Sequence, residues 1–373
     1  MFNFIKALSV FAGTIIGVGI FGLPYVASKT GFPIIACYFL FLSIVVIVIH
    51  LLFGRVALGT KEFHRLPGYV GEYLGDRWKF FSLLIISLGL IGALLAYLIV
   101  GGKFLQSFFS PYFGGSVFLY ALLFFSLASY LIFRGIKSIS SVEFALLVIF
   151  FGVLALFFIK AFPFLEFSHL RIINLKFFTL PYGVVLFSLW GSALVPEIKE
   201  MVGDNPRTLK KVIITGILLA AITYLFFIFI VYGVSGDNTS KEAISGLVNF
   251  LGYNIARFGF VFGIITCFTS FLALGLTLKK VFWYDFGLSK NLAWFIACFL
   301  PLFLFLIGLR EFIEIISLTG AITIGAEGII IVFLYREFLK RNFQKSANPL
   351  IYLLPIFFIL GIVFEIYYFF LYL

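Results

Sequence analysis

Eleven apolar blocks, most of them near the ~20 residues a helix needs to cross the hydrocarbon core of a bilayer, run along these 373 residues. They fall at 3–27, 31–53, 79–109, 115–133, 139–162, 177–198, 212–234, 253–278, 292–308, 312–335 and 349–371. Composition agrees with the pattern: 63% of the residues are hydrophobic and 12% charged, against about 45–50% and about 25% in soluble domains. The chain reads as an all-α polytopic protein of the cytoplasmic membrane, with the lipid bilayer as its surroundings. The first block lacks a small-residue cleavage site and runs into a glycine–proline stretch, so it is expected to be a span and not a cleaved signal.

Orientation follows from the connections, because Lys and Arg accumulate on the cytoplasmic side. With the N-terminus inside, 19 of the 27 basic residues fall on that side and 8 on the other, which predicts N-in and C-out. The net charge of +11 then belongs to the inner leaflet's negative potential, and no nucleic-acid partner is implied. The loop 60–79 mixes charges with Phe63, Leu66, Tyr69, Val70, Tyr73 and Leu74, and reads as a short amphipathic segment on the inner membrane surface. The 54 Phe residues suit lipid-facing helices and say nothing of a substrate. Cys37, Cys267 and Cys298 lack C-x-x-C spacing, and His50, His64 and His169 form no H-x-x-x-H pair, so neither a disulfide framework nor a transition-metal site is expected.

Residues 17–24, "G-V-G-I-F-G-L-P", spell G-x-G-x-x-G at Gly17, Gly19 and Gly22. A dinucleotide site would need a strand before it and an acid about 20 residues on, and residues 37–50 carry no acid. The glycines therefore do something else. Gly13, Gly17, Gly19, Gly22 and Pro24 in one span weaken a helix by ~1 kcal/mol per Gly and ~3 for an interior Pro. Two readings follow: tight packing of small residues against a neighbour, or an unwound backbone, tolerated at membrane depth only where it is buried in protein or lines a cavity. In the second, a half-helix ending near Gly17 offers carbonyls and one starting near Gly19–Ile20 offers N–H groups. That pair of poles matches an amino acid.

The sixth span repeats the feature with Ser188, Gly191, Ser192 and Pro196 in "L-F-S-L-W-G-S-A-L-V-P-E". Paired interruptions at corresponding places in two halves point to a transporter's site. Five spans per half is an odd number, so the second half must be inverted. The expectation is one transmembrane domain, 1–373, with inverted repeats at 3–162 and 177–335 and an extra helix at 349–371.

"A-G-T-I-I-G-V-G-I-F-G-L-P" (12–24) resembles the first helix of amino acid permeases in the amino acid–polyamine–organocation superfamily. The likeness is to the branch of the tyrosine/tryptophan permeases and the auxin/amino acid permease group. "L-A-Y-L-I-V-G-G-K-F-L" (95–105), "G-S-A-L-V-P-E" (191–197) and "T-S-F-L-A-L-G-L" (269–276) continue it in order. The resemblance implies the LeuT-type five-plus-five fold with alternating access. It implies that Gly17, Val18, Gly19 and Ile20 hold the substrate's α-amino and carboxylate groups, with Phe187, Ser188 and Gly191 completing the site and Tyr97 pointing at the substrate. Trp190, beside the second interruption, is a candidate gate.

The coupling ion stays open between Na⁺ and H⁺. By resemblance, Na⁺ would sit between the Gly13 and Ile16 carbonyls and Thr266, Thr269 and Ser270, although such hydroxyls also bond the carbonyl four residues back. A proton needs a titratable group in the membrane, and Glu327 is the sharpest candidate. It lies nine residues before Arg336, ~13 Å along a helix, so a salt bridge within its own helix is excluded; a protonated structural Glu is the other reading. Glu365 is expected to be structural or oligomeric. Glu143 and Glu197 are expected to meet Lys137 and Lys199–Lys211. With no acid beside the first interruption or Tyr97, a neutral substrate is favoured, and the resemblance puts large apolar or aromatic amino acids first. No resident cofactor is implied. A reactive constellation for a membrane enzyme is missing from the sequence, and a non-transporting amino acid sensor of the same fold is the alternative function.

Overall fold

The computed structural model describes residues 2–135 and 140–372, the side chains of 2, 140–146, 371 and 372 excepted. Sixteen α-helices account for most of it: α1 (Phe2–Ile15), α2 (Gly19–Thr30), α3 (Phe32–Gly59), α4 (Leu66–Leu74), α5 (Asp76–Phe113), α6 (Val117–Arg134), α7 (Ser140–Ala161), α8 (Pro181–Leu189), α9 (Val195–Val202), α10 (Pro206–Ser235), α11 (Ile244–Leu251), α12 (Tyr253–Lys280), α13 (Lys290–Leu306), α14 (Phe312–Leu318), α15 (Gly325–Phe343) and α16 (Leu353–Tyr372). Among the described residues nine helical stretches are long and apolar enough to cross a membrane, and α1 with α2 makes a tenth, bent by 52°. The shorter apolar α13 falls on the block at 292–308.

Helix ends follow local chemistry. Ser116, Asn205 and Ser289 accept the N–H groups of Leu119, Thr208 and Leu292 at the starts of α6, α10 and α13, each satisfying a donor that has no partner within the helix. The tenth span is not one regular helix: Thr319–Ile324 between α14 and α15 is π-helical. Its neighbour there is α8, and the two backbones nearly touch. A Cβ on Gly320 would collide with the Gly183 carbonyl, and one on Gly183 with the Ser317 carbonyl. Only glycine permits that approach, which ties the first half of the sixth span to the tenth.

The long α5 runs through the centre, between α12, α6 and α4. Its Phe104 ring meets Phe21 of α2 edge-on at 4.8 Å and Phe260 of α12 at 6.2 Å, so the aromatic residues that composition left unassigned fill the interface around the first break. Other large apolar residues, such as Leu40, Phe113, Ile222 and Phe370, are exposed, as a lipid-facing surface requires.

Helix α2 restarts at Gly19 and carries Pro24 inside it. Two expectations are corrected here. The 60–79 segment does hold a helix, α4, but Leu66, Tyr69, Val70 and Tyr73 are buried in the protein. Tyr69 packs on Phe53, Tyr73 packs on Phe338, and the Tyr73 hydroxyl pairs with Thr60 at 3.0 Å. Amphipathicity marks a face to be covered, whether by lipid or by protein. Finally, Glu197 lies 4.0 Å from Arg65, while Lys199 reaches Asp204 at 3.5 Å and the Thr60 carbonyl at 3.4 Å. The expected contact of Glu143 with Lys137 lies outside the described residues and side chains.

Candidate functional site

Helix α1 stops at Ile15 because the next residues, with glycines at 17 and 19, have little helical preference. The last regular bond runs from Ile16 N–H to Ala12 O at 2.9 Å, and Gly17 N–H then turns back to Ile15 O at 2.7 Å. Val18 N–H donates to the Tyr97 hydroxyl of α5 at 3.3 Å. When α2 begins, the Gly19 N–H has no acceptor among the described residues. The sixth span breaks in the same way. Trp190 is extended (φ −80°, ψ 131°) after α8, and a short 3-10 turn, Ser192–Leu194, leads into α9.

The two breaks are joined by residues from flanking helices. The Tyr224 hydroxyl, on α10 and fully buried, reaches the Ile15 carbonyl at 2.6 Å and the Ser188 carbonyl at 2.9 Å. One phenol therefore touches the carbonyl ends of both broken half-helices. On the opposite side, a Cβ on Gly19 would meet the Ser188 hydroxyl, with the Ser188 Cβ at 2.9 Å and Cα at 3.1 Å. The N-terminal end of α2 thus abuts the last turn of α8, and a Cβ on Gly17 would strike the Tyr97 hydroxyl. Both sequence readings of the glycines hold at once: the backbone is unwound, and it is also tightly packed.

Helix ends carry partial charge, positive at the N-terminus and negative at the C-terminus. Here two carbonyl ends and the open Gly19 N–H converge. An ammonium suits the first and a carboxylate the second.

The remaining candidates divide. Val18, Ile20, Ser188 and Gly191 are buried; Phe187 is half-buried against Gly320. The Ser188 hydroxyl bonds Val184 O at 2.7 Å, leaving its carbonyl as the group at the break. The Gly191 N–H donates to His50 Nε2 at 3.0 Å. Trp190 stands edge-on to His50, ring centroids 5.0 Å apart. Glu327, half-buried on α15, accepts a hydrogen bond from the Ser192 hydroxyl, so an acid does stand at the second break. Of the cation candidates on α12, Thr269 bonds the carbonyls of Ile265 and Thr266 at 3.0 and 3.2 Å within its own helix. The Thr266 hydroxyl is buried without a partner among the described residues, and Ser270 lies beside the Tyr97 hydroxyl. No contact joins the Gly13 or Ile16 carbonyl to these hydroxyls among the described residues.

Sequence reasoning missed Tyr224 and His50. Each stands among apolar residues of its span, and nothing local distinguishes it from packing.

The family model described as "Tryptophan/tyrosine permease family" matches residues 2–369. A protein of Haemophilus influenzae described as tyrosine-specific transport system 1 is 22% identical over 284 residues, 72% of this chain and 70% of that protein. Among solved structures, MhsT in complex with L-phenylalanine superposes with a TM-score of 0.69 at 14% identity, covering 97% of both chains. A manganese transporter mutant of Eremococcus coleocola gives 0.70 at 9% identity, over 96% of this chain and 85% of that one. At such identities the likeness is one of fold: the LeuT-type five-plus-five arrangement, with the first and sixth spans unwound.

Proposed function

The chain belongs to the tryptophan/tyrosine permease family, and from that premise we propose that it is a secondary transporter of a neutral amino acid, large apolar or aromatic, driven by cation symport with alternating access. One observation carries the reading. The carbonyl ends of both interrupted spans meet at the Tyr224 hydroxyl, and the open Gly19 N–H stands against Ser188. An arriving α-ammonium would take those carbonyls, and the carboxylate would take the Gly19 N–H. The repeats at 3–162 and 177–335 would rock about this point, with the helix at 349–371 outside them.

Side-chain preference rests on relatives: a tyrosine-specific transport system and a phenylalanine-bound MhsT. A neutral substrate is supported because no acid touches the first break or Tyr97 among the described residues, and Glu327 at the second break is assigned to proton coupling. For coupling, the proton is the better supported ion. Glu327 sits directly on the second break, whereas the Thr269 hydroxyl, which donates within its own helix and keeps its lone pairs, leaves Na⁺ as the alternative ion. The distribution of Lys and Arg supports N-in, C-out in the cytoplasmic membrane.

The test is uptake of a labelled amino acid panel into proteoliposomes under a pH gradient or a Na⁺ gradient imposed separately. Accumulation under the pH gradient is expected. In Glu327→Gln it should fall about a hundredfold or more, the usual range for removing a proton-transferring group, while exchange of substrate across the membrane persists. Sodium-driven accumulation untouched by Glu327→Gln would transfer the ion to Thr266, Thr269 and Ser270. Binding without accumulation under either gradient would make the protein a sensor.

A further inference from the structure

The imidazole of His50, fully buried on α3, faces the second break. Its Nδ1 lies 2.7 Å from the Val46 carbonyl. A carbonyl only accepts, so Nδ1 carries the hydrogen. Its Nε2 accepts the Gly191 N–H at 3.0 Å, which requires that nitrogen to be bare. The two partners therefore assign one neutral tautomer.

The surroundings of the ring are apolar. From α1 it is faced edge-on by Phe11 at 6.1 Å, and from the sixth span by Trp190 at 5.0 Å. The one charged residue of α3 is Arg55, and it turns away to the Tyr335 hydroxyl at 3.1 Å. From the tenth span the acid on this side is Glu327, bonded to Ser192. No ion pair or charged hydrogen-bond partner meets the imidazole among the described residues. An imidazole and a carboxyl thus hold adjacent residues of one break, Gly191 and Ser192, from two different helices.

We propose that His50 is a positioning residue of the transport cycle: as the neutral Nδ1–H imidazole it latches the Gly191 N–H, and a proton taken up at Nε2 opens that latch. The proton comes from bulk water and forms the Nε2–H bond; only the hydrogen bond to Gly191 is lost. With both ring nitrogens protonated, two donors would face each other where a donor and an acceptor met. Gly191 must then find another acceptor, and the sixth span is released from α3 at the break. The proposal rests on the reading of the breaks as the substrate site.

Two substitutions in the full chain separate the latch from packing. His50→Gln keeps an acceptor oxygen at this reach and cannot titrate; His50→Leu has no acceptor. In proteoliposomes at a series of pH values, wild-type uptake should show an ionisation that His50→Gln lacks, with His50→Gln retaining uptake on the alkaline side. His50→Leu should fall about tenfold or more at every pH, the effect of stranding a buried donor. In parallel, ¹⁵N NMR of histidine-labelled protein should give an Nδ1–H neutral imidazole that is absent from His50→Gln and gains its second proton over the same pH interval. An unchanged pH profile in His50→Gln, or an Nε2–H tautomer at this position, would overturn the latch while leaving the transport reading intact. Absence of uptake by the wild-type protein would overturn both.

Discussion

Gly19→Val is expected to bring uptake to about a hundredth of the wild-type rate or less, the scale of loss when a reacting or bound group is displaced by an ångström. Membrane insertion and helix content should stay as they are. The reason is local. At Gly19 the start of α2 lies so close to α8 that an added Cβ would overlap the Ser188 hydroxyl and stand 2.9 Å from the Ser188 Cβ. Valine adds two further methyl groups in the same place. The backbone must retreat, and with it the N–H that the substrate's carboxylate would use. Gly19→Ala should be graded, weaker than valine but well below wild type. Uptake measured against protein recovered in the membrane checks both; normal uptake by the valine variant would show that this backbone is not the binding surface.

Tyr224→Phe should also be damaging, though less so, and by a different route. The phenol serves the Ile15 and Ser188 carbonyls together, and its loss strands buried acceptors at a cost of about 1–3 kcal/mol. Ile15 O keeps the Gly17 N–H, whereas Ser188 O is left with less. We expect a lower thermal unfolding midpoint and turnover reduced about tenfold. Substrate should restore part of the lost stability, because its ammonium replaces the missing donor. A variant with wild-type turnover and no added stabilisation by substrate would separate Tyr224 from the site.

The contrast between residues explains what could be read from the chain. The first break was legible because Gly17, Gly19, Gly22 and Pro24 are all poor helix formers, and propensity acts locally. The second break was legible by its position, one repeat on. Tyr224 and His50 act through contacts that cross 209 and 141 residues of sequence, and no local rule reaches so far. Glu327 stood out as an acid in a span, yet its partner Ser192 became visible only when the tenth span lay against the sixth. The π-helical Thr319–Ile324 carried no signal, since its glycine is explained only by the Gly183 backbone opposite. For α4 the periodicity predicted a covered face, and packing decided that protein covers it.

The most direct measurement is an experimental structure of the protein with a heavy-atom-labelled aromatic amino acid, such as 4-bromophenylalanine, bound. The account predicts its ammonium at the Ile15 and Ser188 carbonyls and its carboxylate at the Gly19 N–H, with Tyr97 and Trp190 lining the remainder. Ligand density elsewhere, with both breaks still closed by Tyr224 and His50, would contradict it.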